Sequence, residues 1–106
     1  MKVMMTEDLF ELYTTGKSSR YKAVARTRAL YLGFVQAVKT MQLVSSVDEL
    51  KKFSFLHYEK LKYEYSGKSS VRLSNSYVHR LIFVENEDEL KIELIEIDDS
   101  HYGNRK

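Results

Sequence analysis

The segment at residues 56–84, LHYEKLKYEYSGKSSVRLSNSYVHRLIFV, decides the fold class because apolar and polar side chains alternate along most of it. Residues 62–65 and 71–74 show this period of two, which is typical of strands with one buried face. Gly67 lies between them and predicts a turn. Arg80 and the four apolar residues that follow it predict a central strand of the sheet, since such a strand is buried on both faces.

Helical spacing replaces this alternation in the first half of the chain. Residues 2–5 predict an edge strand, and Thr6 predicts the N-cap of a first helix that ends at Gly16. The apolar positions between residues 18 and 41 form one broad stripe, which predicts a second and longer helix. Gly33 lies in the middle of this helix and predicts close packing against a neighbouring element.

The motif SVDE at residues 46–49 is a capping box, which predicts a further short helix that runs to about Phe53. A last strand is predicted at residues 90–97, after a polar loop. The order of elements is therefore β-α-α-(α)-β-β-β-β. We predict a single α+β domain over residues 1–106, with two main N-terminal helices packed on a small and mainly antiparallel sheet.

The composition limits the environment of the protein. A chain of 106 residues is long enough for one hydrophobic core. It contains no cysteine, so disulfides and thiolate metal sites are excluded, as is common in a reducing compartment. The first ten residues lack the features of a signal peptide, and no apolar run reaches the roughly 18 residues that a membrane span needs. We therefore expect a cytoplasmic protein that has no membrane partner.

The net charge of +2 conceals an uneven distribution. Residues 1–84 carry 14 lysines and arginines against 7 acidic residues, whereas residues 85–106 carry 3 against 8. A basic body attracts polyanions by releasing their counterions, which favours a nucleic-acid partner. The alternative is a solvated surface with a charged edge strand, and the charge alone does not separate the two.

Cationic and titratable side chains are concentrated around the predicted sheet. His57 and Lys60 flank the entry to its first long strand, Arg72 and Arg80 lie on the next two, and His101 follows the last. Metal-free cleavage of RNA needs a base for the 2′-hydroxyl, positive charge at the phosphorane and an acid for the leaving 5′-oxygen. Arginine and lysine can supply the charge, and imidazole can supply the base or the acid. The alternative is that the arginines pair with nearby carboxylates and that the histidines are structural.

Metal catalysis is not predicted for this chain. It has no HExxH, CxxC or Asp-x-Asp motif, and its four glycines are too scattered for a phosphate loop. The adjacent carboxylates of Asp98 and Asp99 would point to opposite sides of a strand. His79 is interpreted as structural or interfacial. We therefore expect neither a metal nor another cofactor.

Five motifs occur in the order in which one known family carries them: LFELYTTGKSSRYK, SVDELKKFSFLHYEK, SVRLSNSY, RLIFV and IEIDDSHYG. They span residues 9–103, and on them the chain resembles the HigB-type toxins of the RelE/ParE toxin–antitoxin superfamily. The resemblance implies a RelE-like fold with a curved sheet. It also implies a metal-independent endoribonuclease that cleaves mRNA on the ribosome and is silenced by a cognate helix-turn-helix antitoxin.

The resemblance further implies roles for individual residues. Relatives end their last strand in a motif of an acid, a tyrosine and a histidine, which Asp99, Tyr102 and His101 match. Val78 and His79 lengthen the interval between the two arginines, which predicts a bulge or a wide turn. The predicted catalytic residues are His57, Lys60, Arg72, Arg80, His101 and Tyr102. The predicted RNA-binding residues are Lys17, Arg20, Lys22, Lys62 and Lys68.

Two other functions are compatible with the same fold. One is a toxin without nuclease activity that poisons DNA gyrase, like the ParE proteins. The other is an interaction domain whose catalytic surface has decayed. ParE relatives generally lack the paired histidines and the cluster of cations on the strands, so these residues favour RNA cleavage.

Overall fold

The computed structural model describes residues 1–99, apart from the side chain of Glu64. This part of the chain contains four α-helices and one five-stranded sheet. The helices are α1 (Glu7–Thr15), α2 (Lys22–Arg26), α3 (Arg28–Leu43) and α4 (Val47–Lys51). The strands are β1 (Lys2–Met5), β2 (Glu59–Lys60), β3 (Ser69–Arg72), β4 (Arg80–Asn86) and β5 (Lys91–Asp98).

The sheet has the order β1-β5-β4-β3-β2. β1 runs parallel to β5, and every other pair of neighbouring strands is antiparallel. β4 is the middle strand, and Leu81, Ile82 and Phe83 are fully buried in it. The predicted α+β class, the mainly antiparallel sheet and the central position of β4 are therefore confirmed.

The hydrophobic core lies between the helices and one face of this sheet. Val71, Leu81 and Phe83 belong to it, together with Leu30 and Phe34 of α3. Side chains alternate along a strand, so the residues between these positions point to the other face. We call this the outer face and define it by Ser70, Arg72, Arg80 and Ile82. In residues 1–99, no helix is long and apolar enough to cross a membrane.

Both predicted ends of α1 are confirmed. The Thr6 side chain accepts a hydrogen bond from the Leu9 backbone N–H at 3.3 Å, as an N-cap does. Gly16 has a φ of +73°, and its N–H donates to the Leu12 carbonyl. Glycine adopts this left-handed conformation without steric cost, so it ends the helix where the sequence predicts.

The second long helix is broken in two, so the prediction of one continuous helix is wrong. Thr27 is extended, with φ −103° and ψ 109°, and separates α2 from α3. Tyr21 and Leu30 are both buried in the core. They are nine residues apart, which corresponds to about two and a half turns of a helix. A continuous helix would point these two side chains in opposite directions. The break lets both of them face the sheet.

The prediction of a strand at residues 62–65 is also wrong, because only Glu59 and Lys60, which precede this segment, pair with β3. Residues Tyr63–Tyr65 form a turn of 3₁₀-helix. Tyr63 has a φ of +58° and is 91% exposed. The alternation of tyrosines with charged residues therefore reflects a loop and not a strand. The short helix α4 ends at Lys51, two residues before the predicted end.

Gly33 packs directly against β3, as its position in the helix predicts. A β-carbon at this residue would lie 1.8 Å from the carbonyl oxygen of Leu73. Glycine is thus the residue type that lets α3 approach the strand so closely. Because Leu73 follows Arg72, this contact also sets the height of the helix above the strand that carries Arg72.

Candidate functional site

Arg72 and Arg80 lie directly opposite each other on β3 and β4, since their Cα atoms are partners in the antiparallel register. Residues 73–79 form the connection between the two strands, and the N–H of Leu73 donates to the carbonyl of His79 at 3.2 Å. The two additional residues therefore widen the turn without moving the arginines apart. We call Arg72 and Arg80 the arginine pair.

Arg80 is firmly held on the outer face and is only 8% exposed. Its Nε donates to Ser70 Oγ at 2.7 Å, and its Nη2 donates to the His57 carbonyl oxygen at 2.5 Å. The Nη2 also lies 3.8 Å from Glu59 Oε1. These contacts orient the guanidinium and tie the segment before β2 to the middle of the sheet.

Arg72 differs from Arg80 in having few protein partners. Its side chain is half-buried, forms no ion pair with any described carboxylate, and has a buried Nε with no hydrogen-bond partner in the described part of the chain. An unpaired guanidinium next to a second one is unfavourable unless an anion joins them. The planar donors of arginine match two oxygens of a phosphate. The arginine pair is therefore a candidate phosphate site.

His57 lies beside the arginine pair, as its place in the sequence predicts. Its left-handed backbone, with a φ of +48°, directs its carbonyl to Arg80. The exposed imidazole contacts Asn75 in the β3–β4 connection, with 3.0 Å between Nε2 and Oδ1. The backbone of His57 thus contacts Arg80, and its imidazole is oriented by the connection that follows Arg72.

Glu59 is a site residue that the sequence interpretation missed. Its carboxylate contacts Arg80 on the outer face, and its side chain is 55% exposed. A carboxylate within reach of an arginine-bound phosphate can accept a proton from a substrate hydroxyl. The available signal was its position, because Glu59 lies two residues after His57 in the segment that enters the sheet.

Lys60 does not join this cluster. It follows Glu59 in β2 and therefore points to the opposite face, where its Nζ lies 3.7 Å from Glu85 Oε1. The structure thus places His57, Arg72 and Arg80 together and places Lys60 on the core side of the sheet. His101 and Tyr102 lie outside the described residues.

Glu85 is the centre of a hydrogen-bonded cluster that fastens β2 to the sheet. The hydroxyl of Tyr58 donates to its two carboxylate oxygens at 2.7 and 3.0 Å, and the buried Ser69 hydroxyl donates to Oε1. Burial, followed by the hydrogen bond to Glu85, raises the pKa of Tyr58 to about 12, so the phenol stays protonated and remains a donor. The cluster holds residues 58–60, which connect His57 to the sheet.

Replacement of Glu85 by alanine is expected to lower the free energy of unfolding by about 2 kcal/mol, because the hydroxyls of Tyr58 and Ser69 lose their charged acceptor. Urea denaturation of the purified variant measures this loss. Glu87→Ala is the matched control, since Glu87 is exposed in the following turn. Equal stability of the two variants would show that the cluster does not hold β2.

The predicted RNA-binding cations lie in two regions. Lys17 and Lys22 are exposed near the start of α2, whereas Arg20 is engaged with Asp8 at 3.3 Å and with Glu96 at 3.5 Å. In the loop after β2, Lys62 is exposed and the Nζ of Lys68 lies 6.0 Å from the centre of the Tyr65 ring.

Among the described side chains of residues 1–99, which exclude that of Glu64, no group of three or more histidine, cysteine, aspartate or glutamate residues is arranged to hold a metal ion. The described ionisable side chains at the site include those of the arginine pair, His57, Glu59 and Asp98, which is the register partner of Arg80.

Comparison with solved structures shows that this fold is shared with bacterial toxins. The YoeB-YefM complex from Staphylococcus aureus matches with a TM-score of 0.58 and 18% identity, over 96% of this chain and 98% of that one. The YoeB/ParE toxin from Agrobacterium tumefaciens matches with a TM-score of 0.53 and 18% identity, over 95% of this chain and 100% of that one. A heterotetrameric YoeB-YefM toxin-antitoxin complex from Staphylococcus aureus matches with a TM-score of 0.50 and 18% identity, over 96% and 98%.

No protein-family model and no curated protein sequence matches the chain. At 18% identity the structural matches establish the fold and leave the activity to be argued from the site. The protein therefore has the fold of YoeB- and ParE-type toxins, with an arginine pair, a histidine and a carboxylate grouped on the outer face of its sheet.

Proposed function

We propose that this protein is the toxin of a type II toxin–antitoxin system and a metal-independent endoribonuclease that cleaves mRNA on the ribosome. The observation that carries the proposal is the arginine pair, which lies in register on two central strands with one guanidinium anchored and the other unpaired. The fold supports the toxin class. The assignment to the HigB branch rests on the sequence motifs alone, since the matched structures are of YoeB and ParE type.

The proposed reaction is an attack of the ribose 2′-oxygen on the adjacent phosphorus. Glu59 or His57 removes the proton from the 2′-hydroxyl, and the new P–O bond forms as the bond to the 5′-oxygen breaks. The leaving 5′-oxygen takes a proton from an imidazole, either that of His57 or that of His101. The products are a 2′,3′-cyclic phosphate and a 5′-hydroxyl. The step consumes no water, and the proposed mechanism uses no metal ion.

The arginine pair acts on the charge that develops during this step. Negative charge accumulates on the non-bridging oxygens as the phosphorane forms, and fixed cations stabilise it without reorganising. Arg80 is held in place by Ser70 and by the His57 carbonyl, so its donors are already oriented. Arg72 completes the site from the neighbouring strand.

A cognate antitoxin is the proposed partner. Two of the matched structures contain YoeB bound to YefM, and one of them is described as a toxin-antitoxin complex. An antitoxin whose toxin-binding part is acidic would be attracted by the basic body of this chain. It can cover the arginine pair directly, or it can bind elsewhere and block entry to the ribosome.

A second candidate is a ParE-like toxin that binds DNA gyrase without cutting nucleic acid, and a third is a decayed interaction domain of the same fold. The match to the YoeB/ParE toxin is the reason to keep the ParE-like candidate. Neither alternative needs an unpaired guanidinium beside an oriented imidazole. The state of the mRNA distinguishes both alternatives from the nuclease, since only the nuclease leaves cut mRNA.

We expect mRNA cleavage when the protein is added to a bacterial translation system, with cut sites mapped by primer extension. Cleavage should stop when the 2′-hydroxyl at the cut site is replaced by hydrogen, because the nucleophile is then missing. The product of a neighbouring helix-turn-helix gene should suppress it. Intact mRNA combined with inhibited gyrase would assign the ParE-like function, and intact mRNA with active gyrase would assign the decayed domain.

A further inference from the structure

Two adjoining cavities lie beside the start of α2, away from the arginine pair. The first, of about 240 Å³, lies between the Arg20–Val24 segment and the ends of β4 and β5. The second, of about 300 Å³, lies between the end of α1 and α2. Lys22 lines both of them, so the two cavities are neighbours. We call these two cavities together the basic trough.

The cations of the second cavity are not neutralised by the described chain, whereas Arg20 in the first cavity is engaged with Asp8 and Glu96. Lys17, Lys22 and Arg26 line the second cavity, and none of them forms an ion pair with a carboxylate of the described chain. No acidic residue occurs between positions 12 and 47 of the sequence. Three uncompensated charges around one depression repel each other, which makes the binding of a polyanion favourable.

The trough lies at the same end of the sheet as the arginine pair. His79, which lines the first cavity, immediately precedes Arg80. Asp99 lines the same cavity and follows Asp98, which is the register partner of Arg80 on β5. A strand with one phosphate at the arginine pair can therefore continue around the end of the sheet into the trough.

The walls of the first cavity combine apolar and polar groups. Val24 and Ile97 supply apolar surface, and the Nδ1 of His79 is buried without a hydrogen-bond partner among residues 1–99. Because this nitrogen has almost no exposed surface, it is the rest of the half-buried His79 ring that a ligand in the cavity can contact. A nucleotide carries both a flat apolar ring with hydrogen-bonding edges and a phosphate, so it suits these walls better than a bare anion does.

We infer that the basic trough binds the single-stranded RNA substrate beyond the cut site. Lys17, Lys22 and Arg26 hold backbone phosphates there, and the His79 end receives the nucleotide nearest to the arginine pair. The inference rests on the proposed nuclease function and extends it, because it gives the enzyme a substrate several nucleotides long. The trough cations then determine affinity, whereas the arginine pair determines the rate of cleavage.

Fluorescence anisotropy with single-stranded 2′-O-methyl RNA, which cannot be cut by 2′-attack, tests the inference over a range of salt concentrations. A trough variant should bind about tenfold or more weakly at low salt, and its salt-dependence slope should fall by about two units, since each phosphate contact contributes about 0.7. The trough variant is Lys17→Gln, Lys22→Gln and Arg26→Gln. The control removes the same charge elsewhere with Lys2→Gln, Lys39→Gln and Lys52→Gln.

The outcomes separate the inference from the proposed function. If the trough variant binds RNA as the control variant does, the inference is overturned, while cleavage that still requires Arg72 leaves the nuclease in place. If the trough variant loses affinity for an acidic antitoxin but not for RNA, the trough is a protein-binding surface and the inference is likewise overturned. An unaltered chain that neither binds nor cuts RNA refutes the proposed function itself.

Discussion

Arg72→Ala is expected to lower the rate of mRNA cleavage by about 10²-fold or more, because it removes a charge that stabilises the phosphorane. The free energy of unfolding should change by less than about 0.5 kcal/mol, since Arg72 has no ion pair among the described residues and lies beside a like charge. Cleavage in a translation system and urea denaturation of the same preparation measure the two quantities. Growth inhibition in the host should fall in parallel.

Two further variants sharpen this test. Arg28→Ala removes an exposed arginine from the start of α3 and should leave cleavage unchanged. Arg80→Ala should abolish cleavage but also reduce stability, because Ser70 and the His57 carbonyl lose their buried donor. Arg72 is thus the cleaner probe of the two. If Arg72→Ala cuts mRNA as fast as Arg28→Ala does, the arginine pair is not the phosphate site.

Gly33→Ala is expected to destabilise the protein by about 3 kcal/mol or more, although alanine is the better helix former. The added methyl carbon would lie 1.8 Å from the Leu73 carbonyl oxygen and 2.8 Å from its carbon, and both are backbone atoms that a rotamer change cannot move. Either α3 or the end of β3 must shift. Thermal and urea denaturation give the size of the effect, and insoluble protein would be its extreme form.

Gln36→Ala is the matched control, because it makes the same exchange to alanine on the exposed side of α3 and should leave stability unchanged or slightly higher. Any Gly33→Ala protein that stays folded should also cleave mRNA more slowly, since Leu73 is bonded to Arg72. A Gly33→Ala variant as stable as Gln36→Ala would mean that α3 does not rest on β3 as described.

The sequence determined the features that depend on near neighbours. The caps of α1 at Thr6 and Gly16 follow from the preferences of single residues, and the core positions Val71 and Leu73 follow from the period of two. That period also predicted that Arg72 faces away from the helices, which the structure confirms. It failed at residues 62–65, where the same alternation occurs in a loop because no strand pairs with it.

Only the tertiary structure decided which side chains meet. The register that places Arg72 opposite Arg80 depends on pairing across a seven-residue connection, and the ion pair that Lys60 forms on the core side depends on Glu85, 25 positions later. The break at Thr27 arises because Tyr21 and Leu30 must share one core. Such contacts join residues far apart in the chain, and local preferences carry no information about them. The cationic chemistry could therefore be predicted from the sequence, but its assembly into one site could not.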